Sequence, residues 1–137
     1  MSPRGRWHGG LAGCLLGSLL SLAATAAQAQ QAGIALKSGE STELHSAYQV
    51  INCESVVIGE PQIEVLEGPP ELTLEIKQAM VIPRRQKCAK AVRAGTVIAT
   101  AKEVKEHSQV RLTYRIKYKT KGGDRQEAHV YDVSLFP

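Results

Sequence analysis

Residues 109–119 read QVRLTYRIKYK, and apolar and polar side chains alternate along the whole stretch. Alternation has the period of a β-strand, in which successive side chains point to opposite faces. One face would carry the apolar side chains of Val110, Leu112, Tyr114, Ile116 and Tyr118. The other face would carry Arg111, Thr113, Arg115, Lys117 and Lys119. The stretch therefore predicts a strand with one buried face, and with it a β protein.

A hairpin turn follows this strand. Lys121-Gly122-Gly123-Asp124 supplies two glycines that adopt positive φ without steric cost, and a second alternating run follows at Arg125–Leu135. A two-residue Gly122-Gly123 loop would make the apolar faces of the two strands coincide. The expected facing pairs are Val110 with Leu135, Leu112 with Val133, Tyr114 with Tyr131, and Ile116 with His129.

Shorter strand candidates precede the hairpin, and turn signals such as Gly68-Pro69-Pro70 separate most of them. These candidates are Ile34–Lys37, Thr42–His45, Tyr48–Cys53, Gln62–Leu66, Glu71–Lys77 and Thr96–Lys102. No segment has the periodicity of an amphipathic helix. Seven or eight short strands predict an all-β fold, namely a single immunoglobulin-like antiparallel β-sandwich, with a small Greek-key barrel as the alternative.

The N-terminal residues have the three regions of a signal peptide. Arg4 and Arg6 give a basic start, and Leu11–Ala24 is rich in Leu and Ala. Ala27-Gln28-Ala29 then offers the small residues that favour cleavage before Gln30. The apolar run is shorter than the roughly 20 residues that span a bilayer. We therefore expect a periplasmic or secreted protein whose mature chain has no transmembrane segment.

Cleavage at that point would divide the chain into a signal peptide, residues 1–29, and one domain, residues 30–137. An alternative is suggested by Leu11-Ala12-Gly13-Cys14, which spells a lipoprotein cleavage box and would make Cys14 a lipidated N-terminus. Such a box normally follows the apolar segment, whereas here it precedes most of it. The signal peptide is therefore the preferred interpretation.

Two cysteines, Cys53 and Cys88, remain after cleavage. In an oxidising compartment such a pair most simply forms one disulfide. The alternative is a redox-active or metal-binding thiol pair. It lacks support because there is no C-x-x-C motif, and because His45, His107 and His129 have no ligand spacing relative to either cysteine. We expect no metal and no cofactor.

Charge is unevenly distributed along the expected domain. Residues 30–76 contain eight acidic residues and one basic residue, whereas residues 77–137 contain fourteen basic and five acidic residues. The resulting net charge is too mild to indicate a nucleic-acid-binding protein. Either the two halves pair their charges across neighbouring strands, or part of the basic half forms an anion-binding patch.

The candidate patch lies within residues 83–93 and contains Arg84, Arg85, Lys87, Lys90 and Arg93 without any acidic residue. A bonded Cys88 would hold this loop in place, and arginines suit phosphate or carboxylate groups. The alternative is a loop that only aids solubility. A second basic surface is the polar face of the hairpin, where charge on an exposed strand would prevent edge-to-edge association.

No catalytic signature is present: the sequence contains neither a nucleophile elbow nor a glycine-rich phosphate loop. We therefore expect a non-catalytic binding or structural module of the cell envelope. Its partner would be an unidentified envelope protein or an anionic envelope polymer, bound through the basic loop, and its oligomeric state stays open. The alternative is a small proteinaceous inhibitor of a secreted enzyme, with residues 83–88 as the inserted element.

Three segments carry a resemblance to known proteins: residues 63–70 (IEVLEGPP), residues 83–88 (PRRQKC) and residues 133–137 (VSLFP). Together they resemble a group of small secreted proteins of Gram-negative bacteria. The resemblance covers most of the expected domain and implies an exported single domain. It implies no activity and no site residue.

Overall fold

A computed structural model describes residues 32–137, and the predicted signal peptide lies outside these residues. The described residues contain strands and one short 3-10 turn at Arg84–Gln86, without any α-helix. The strands are β1 Ala32–Lys37, β2 Ser41–Ala47, β3 Val50–Ile51, β4 Glu54–Ser55, β5 Gln62–Glu67, β6 Leu72–Val81, β7 Val92–Ala101, β8 Ser108–Thr120 and β9 Gly123–Phe136. The predicted all-β class is confirmed.

The longer strands form two sheets, one in the order β1-β9-β8-β5 and one in the order β2-β7-β6, while β3 and β4 form a small separate hairpin. All pairs are antiparallel except β1 and β9, which are parallel. The expectation of a wholly antiparallel arrangement is therefore wrong. Because β1 and β9 are distant in the chain and no hairpin joins them, nothing forces them to run in opposite directions.

Both sheets contribute to one hydrophobic core. The four-stranded sheet buries its side chains mainly from β8 and β9: Leu112, Tyr114, Ile116, Tyr118, Val133 and Leu135. The three-stranded sheet contributes smaller side chains: Ala47, Leu72, Val97, Ala99 and Ala101. The alternation read from residues 109–119 therefore places the apolar face of β8 against the second sheet.

The predicted β8–β9 hairpin is confirmed, but its expected register is wrong by two residues. The two-residue loop is Lys121-Gly122, flanked by the facing pair Thr120 and Gly123. The hydroxyl of Thr120 donates to the carbonyl of Gly123 at 2.6 Å and accepts from the amide of Gly122 at 3.2 Å. Gly123 has φ of 111°, so the positive-φ residue closes the turn rather than lying inside the loop. A two-residue shift preserves the faces, so the apolar sides still coincide.

The predicted strand Tyr48–Cys53 is also wrong. Only Val50–Ile51 is extended, because Asn52 and Cys53 have φ of 51° and 62° and form the turn between β3 and β4. Two successive left-handed residues are the requirement of a tight hairpin turn. The remaining predicted strands are confirmed, and β6 and β7 are longer than expected.

Candidate functional site

The predicted basic loop is built around the 3-10 turn that connects β6 to β7. Pro83 is almost completely buried, and the amides of Gln86 and Cys88 both donate to its carbonyl at 3.2 Å. Lys87 takes a left-handed conformation, with φ of 57°, and its amide donates to the carbonyl of Arg84 at 3.0 Å. Buried residues and backbone hydrogen bonds therefore fix both ends of this turn.

The turn is also tied to the β3–β4 hairpin. Cys88 is bonded to Cys53, with the two Cα atoms 5.4 Å apart, so the predicted disulfide is confirmed. Nearby, the hydroxyl of Tyr48 donates to the side-chain carbonyl of Gln86 at 3.2 Å. The β6–β7 connection, which carries the basic residues, is thus held by one residue before β3 and one residue after it.

The five predicted site residues are all exposed: Arg84, Arg85, Lys87, Lys90 and Arg93. Across residues 32–137, none of these side chains makes an ion pair or a hydrogen bond. Arg84, Arg85 and Lys87 share the turn. Lys90 and Arg93 instead line a groove of about 830 Å³ that also contains Glu54 and Glu60. The structure therefore gives a purely basic turn beside a groove of mixed charge.

The second basic surface, on the polar face of β8, is paired with acidic residues. The Glu64 carboxylate lies 2.6 Å from Arg115 Nε and 2.7 Å from Lys117 Nζ, and Arg111 Nε lies 3.8 Å from an Asp132 oxygen. Hydrogen bonds from Arg115 and Lys117 hold the pKa of Glu64 at about 2, well below its ordinary value. Cross-strand pairing thus accounts for much of this surface.

These basic residues do not protect a sheet edge, as the sequence suggested, because β8 lies between β9 and β5. An interior strand has both rows of backbone groups paired, so it offers no edge for another chain to extend. Ion pairs with an acidic residue on the adjacent strand β5 instead account for Arg115 and Lys117.

A second cluster lies between the two sheets and was not predicted from the sequence. On β9, the side chains of Glu127 and His129 share the inward face with Tyr131. The actual register places His129 opposite Tyr114 and Glu127 opposite Ile116, whereas the expected register had His129 opposite Ile116. The inward face of β9 is therefore polar near the hairpin turn and apolar towards the C-terminus, where Val133 and Leu135 are buried.

His45 reaches the cluster from the other sheet. The pairing of β2 with β7 shifts between Glu43 and His45, so Leu44 is the extra residue of a β-bulge. A bulge redirects the side chains that follow it. Leu44 and His45 are accordingly both half-buried, and the two side chains break the simple alternation of β2.

Tyrosine hydroxyls orient two members of the cluster. The Tyr114 hydroxyl oxygen lies 2.9 Å from His45 Nδ1, and the Tyr118 hydroxyl donates to Glu127 Oε1 at 2.6 Å. The rings of His45 and His129 lie with their centroids 3.9 Å apart and their planes tilted by 30°. His129 Nε2 lies 3.6 Å from Glu127 Oε1, which is too long for a hydrogen bond.

Burial controls the ionisation of the cluster. Desolvation, followed by the proximity of His129, lowers the pKa of His45 to about 4, so this imidazole is neutral at pH 7. Burial also raises the pKa of Tyr114 and of Tyr118 above the ordinary value, and the Glu127 carboxylate adds to the effect at Tyr118. Both hydroxyls therefore keep their protons.

Two nitrogens of the cluster have no partner within the described chain: Nε2 of His45 and Nε2 of His129 are both buried without a hydrogen bond. A buried polar atom left in this state costs about 1–3 kcal/mol. One ligand atom from each of His45, Glu127 and His129 lies within 4.8 Å of the others, and all three are residue types that bind metal ions. The signal in the sequence was Glu127-Ala-His129, because residues two apart on a strand share a face.

The part of the chain that the structure describes contains no helix of the length and hydrophobicity needed to cross a membrane. Comparisons with protein-family models, with curated proteins and with solved structures found no match. The resemblance to small secreted proteins of Gram-negative bacteria therefore stays a prediction.

Proposed function

We propose that residues 30–137 form an exported, non-catalytic binding module of the cell envelope, built as an immunoglobulin-like sandwich, which contacts an anionic envelope component through the basic turn. The strand orders support this architecture. If β2 and β5 to β9 take positions B to G, the two sheets have the immunoglobulin orders B-E-D and C-F-G. Two separate sheets favour a sandwich over the Greek-key barrel, and β1 departs from the pattern by pairing with β9.

The observation that carries the proposed binding role is the combination of charge and fixed backbone at residues 83–88. Arg84, Arg85 and Lys87 are exposed and have no acidic partner among residues 32–137. The disulfide and the buried Pro83 hold their backbone in place. A turn that is already ordered loses less entropy on binding, and arginine presents a planar fork to phosphate or carboxylate oxygens.

Nearby apolar side chains fit the same role. Met80 and Ile82 lie just before the turn and are exposed by 63% and 40%. Met80 faces Arg93 across the β6–β7 pair, so an apolar side chain lies directly beside a basic one. Anionic lipids and lipopolysaccharide present phosphate groups above hydrocarbon, and such a surface complements a basic turn with adjacent apolar side chains.

Two charge-matched variants test the proposal. Arg84→Ala/Arg85→Ala removes two positive charges from the turn. Lys102→Ala/Lys105→Ala removes two charges just beyond the other end of β7, a ten-residue strand about 30 Å long. Cosedimentation with phosphatidylglycerol vesicles and with lipopolysaccharide is the measurement, with phosphatidylcholine vesicles as the neutral comparison.

The turn variant is expected to bind anionic vesicles roughly 30-fold more weakly, from about 1 kcal/mol for each basic residue near an anionic surface. The Lys102/Lys105 variant is expected to change little, and added salt should weaken the binding of the wild type. Equal losses in the two variants would mean that net charge alone is responsible, and would refute a role for the turn. Failure of the wild type to bind any anionic surface, together with stoichiometric recovery of one secreted enzyme from an envelope extract, would favour the inhibitor alternative.

The proposed export has its own measurement. The N-terminus of the protein recovered from the producing cell is expected to be Gln30, and its intact mass should show neither a lipid nor the preceding residues. Retention of the segment before Gln30, or an acylated Cys14, would contradict the proposed processing.

A further inference from the structure

We propose that His45, Glu127 and His129 bind one divalent transition-metal ion of the Zn²⁺ class, which clamps the two sheets together. The inference does not depend on the basic turn, because none of the turn residues belongs to the cluster. Two imidazoles and one carboxylate are a common ligand set for such ions, and the fourth coordination position is left for water.

The geometry needs only a small adjustment. The three ligand atoms lie within 4.8 Å of one another. Around a tetrahedral Zn²⁺ with Zn–N bonds of about 2.0–2.1 Å, neighbouring ligand atoms lie about 3.4 Å apart. The widest pair of ligand atoms would have to close by up to about 1.4 Å, a shift of the size that side-chain rotation provides.

Hydrogen bonds outside the ligand set prepare two of the ligands. If His45 Nδ1 carries the proton and donates it to the Tyr114 oxygen, the lone pair of His45 Nε2 is free for the metal. The Tyr118 hydroxyl donates to Glu127 Oε1 and so orients the carboxylate, which keeps free lone pairs on its oxygens for the metal. Metal-binding histidines and carboxylates usually have such partners, which fix the tautomer and the ring orientation.

The two buried nitrogens are the strongest argument for an ion rather than a purely structural network. Nε2 of His45 and Nε2 of His129 have no hydrogen-bond partner, although His45 Nδ1 and Glu127 Oε1 are each within hydrogen-bond distance of a tyrosine hydroxyl. An ion between them would satisfy both at once. The Glu127 and His129 side chains keep 35% and 28% exposure, so the proposed site lies close to solvent.

The position of the site predicts what the ion would do. His45 belongs to β2 in one sheet, whereas Glu127 and His129 belong to β9 in the other. A metal bound by all three would therefore cross-link the sheets, and the stability of the folded domain would rise with the logarithm of the free metal concentration above the dissociation constant.

Calorimetric titration of untagged, chelator-treated protein with ZnCl₂ is the primary experiment. We expect one saturable site per chain, a rise in the thermal midpoint on loading, and no comparable effect of MgCl₂, because Mg²⁺ prefers oxygen ligands. His129→Ala and Glu127→Gln are expected to weaken Zn²⁺ binding by at least 100-fold. His107→Ala is the matched control, because this exposed histidine stacks on Phe136 away from the cluster, and it should bind like the wild type.

A measurement on the unaltered chain covers the case in which a variant fails to fold. Nitrogen-detected imidazole spectra of the wild type should show His45 with its proton on Nδ1, and Zn²⁺ should shift the Nε2 resonances of His45 and His129 but not those of His107. Tyr118→Phe is expected to weaken binding by about 10-fold, because it frees the carboxylate from its orienting hydroxyl. Absence of saturable binding, unchanged affinity in His129→Ala, or shifts at His107 alone would overturn the proposal.

Discussion

Removal of the Cys53–Cys88 disulfide is expected to lower the free energy of unfolding by about 4 kcal/mol. The two cysteines are 35 residues apart, so reduction releases a loop of that length in the unfolded chain. In the chain-entropy description, the cost of closing such a loop gives the stated magnitude. Because a domain of this size is stabilised by only about 5–15 kcal/mol, the bridge is a large part of the total.

The measurement is urea unfolding of Cys53→Ser/Cys88→Ser beside the oxidised wild type and the wild type reduced with dithiothreitol. The double variant avoids the free thiol that either single substitution would leave. With a denaturant dependence of about 1–2 kcal/mol per molar, the midpoint should fall by roughly 2–4 M in both the variant and the reduced wild type.

Three results would refute this reasoning. A midpoint within about 0.5 M of the oxidised wild type would show that the bridge does not constrain the unfolded chain. Titration of two reactive thiols in unreduced, denatured protein would show that the bridge is absent. A drop in the reduced wild type without a drop in the double variant would assign the loss to the reduced thiols themselves, of which that of Cys88 is buried.

The other predictions concern packing, charge and hydrogen bonding. Gly95→Ala is expected to lower the free energy of unfolding in urea by about 1–3 kcal/mol, because its new Cβ would lie closer than 3.0 Å to Ile76 Cγ2. Gly33→Ala meets only ordinary contacts and serves as the control, and equal losses in the two variants would contradict the close approach. Glu64→Gln should flatten the dependence of stability on acid pH, because the folded pKa of Glu64, about 2, lies below its ordinary value of 4.5. The stabilisation from this carboxylate is therefore present above pH 4.5 and is lost as the pH falls towards 2, and an unchanged pH profile of the thermal midpoint in the variant would argue against the ion pairs. Tyr118→Phe should destabilise the metal-free domain by about 1–2 kcal/mol, because it removes a hydrogen bond to a carboxylate, and a stability equal to the wild type would show that the bond is weak.

The sequence was sufficient for the hairpin and the disulfide because both depend on short or simple signals. Alternation over residues 109–119 and a glycine turn determine which faces meet, because the two registers in question differ by two residues and share the same faces. The register of the hairpin also depends on which two residues form the loop. A Gly-Gly pair allows either Gly122-Gly123 or Lys121-Gly122 as the loop, and the choice depends on the hydrogen bonds of the Thr120 hydroxyl. A rule based on glycine alone cannot distinguish these turns.

The cluster was beyond sequence reasoning for a different reason. His45 is separated from Glu127 and His129 by most of the domain, and only the packing of the two sheets brings them together. The bulge at Leu44 adds to the difficulty, because it shifts the alternation of β2 at the position where His45 must turn inward. An error of two residues in the hairpin register also moved His129 away from Tyr114, which hid its polar surroundings.

The composition of the inward face of β9 argues that the cluster has a role beyond folding. Towards the C-terminus of β9, this face is filled by the buried aliphatic side chains of Val133 and Leu135. Aliphatic residues at positions 127 and 129 would remove a half-buried carboxylate and an unpartnered imidazole nitrogen from the space between the sheets. Tyr114 and Tyr118 on the neighbouring strand add two more polar groups to this end, with hydroxyls that contact His45 and Glu127. A ligand that uses these groups gives a physical reason for the polar end of this core, which packing alone does not.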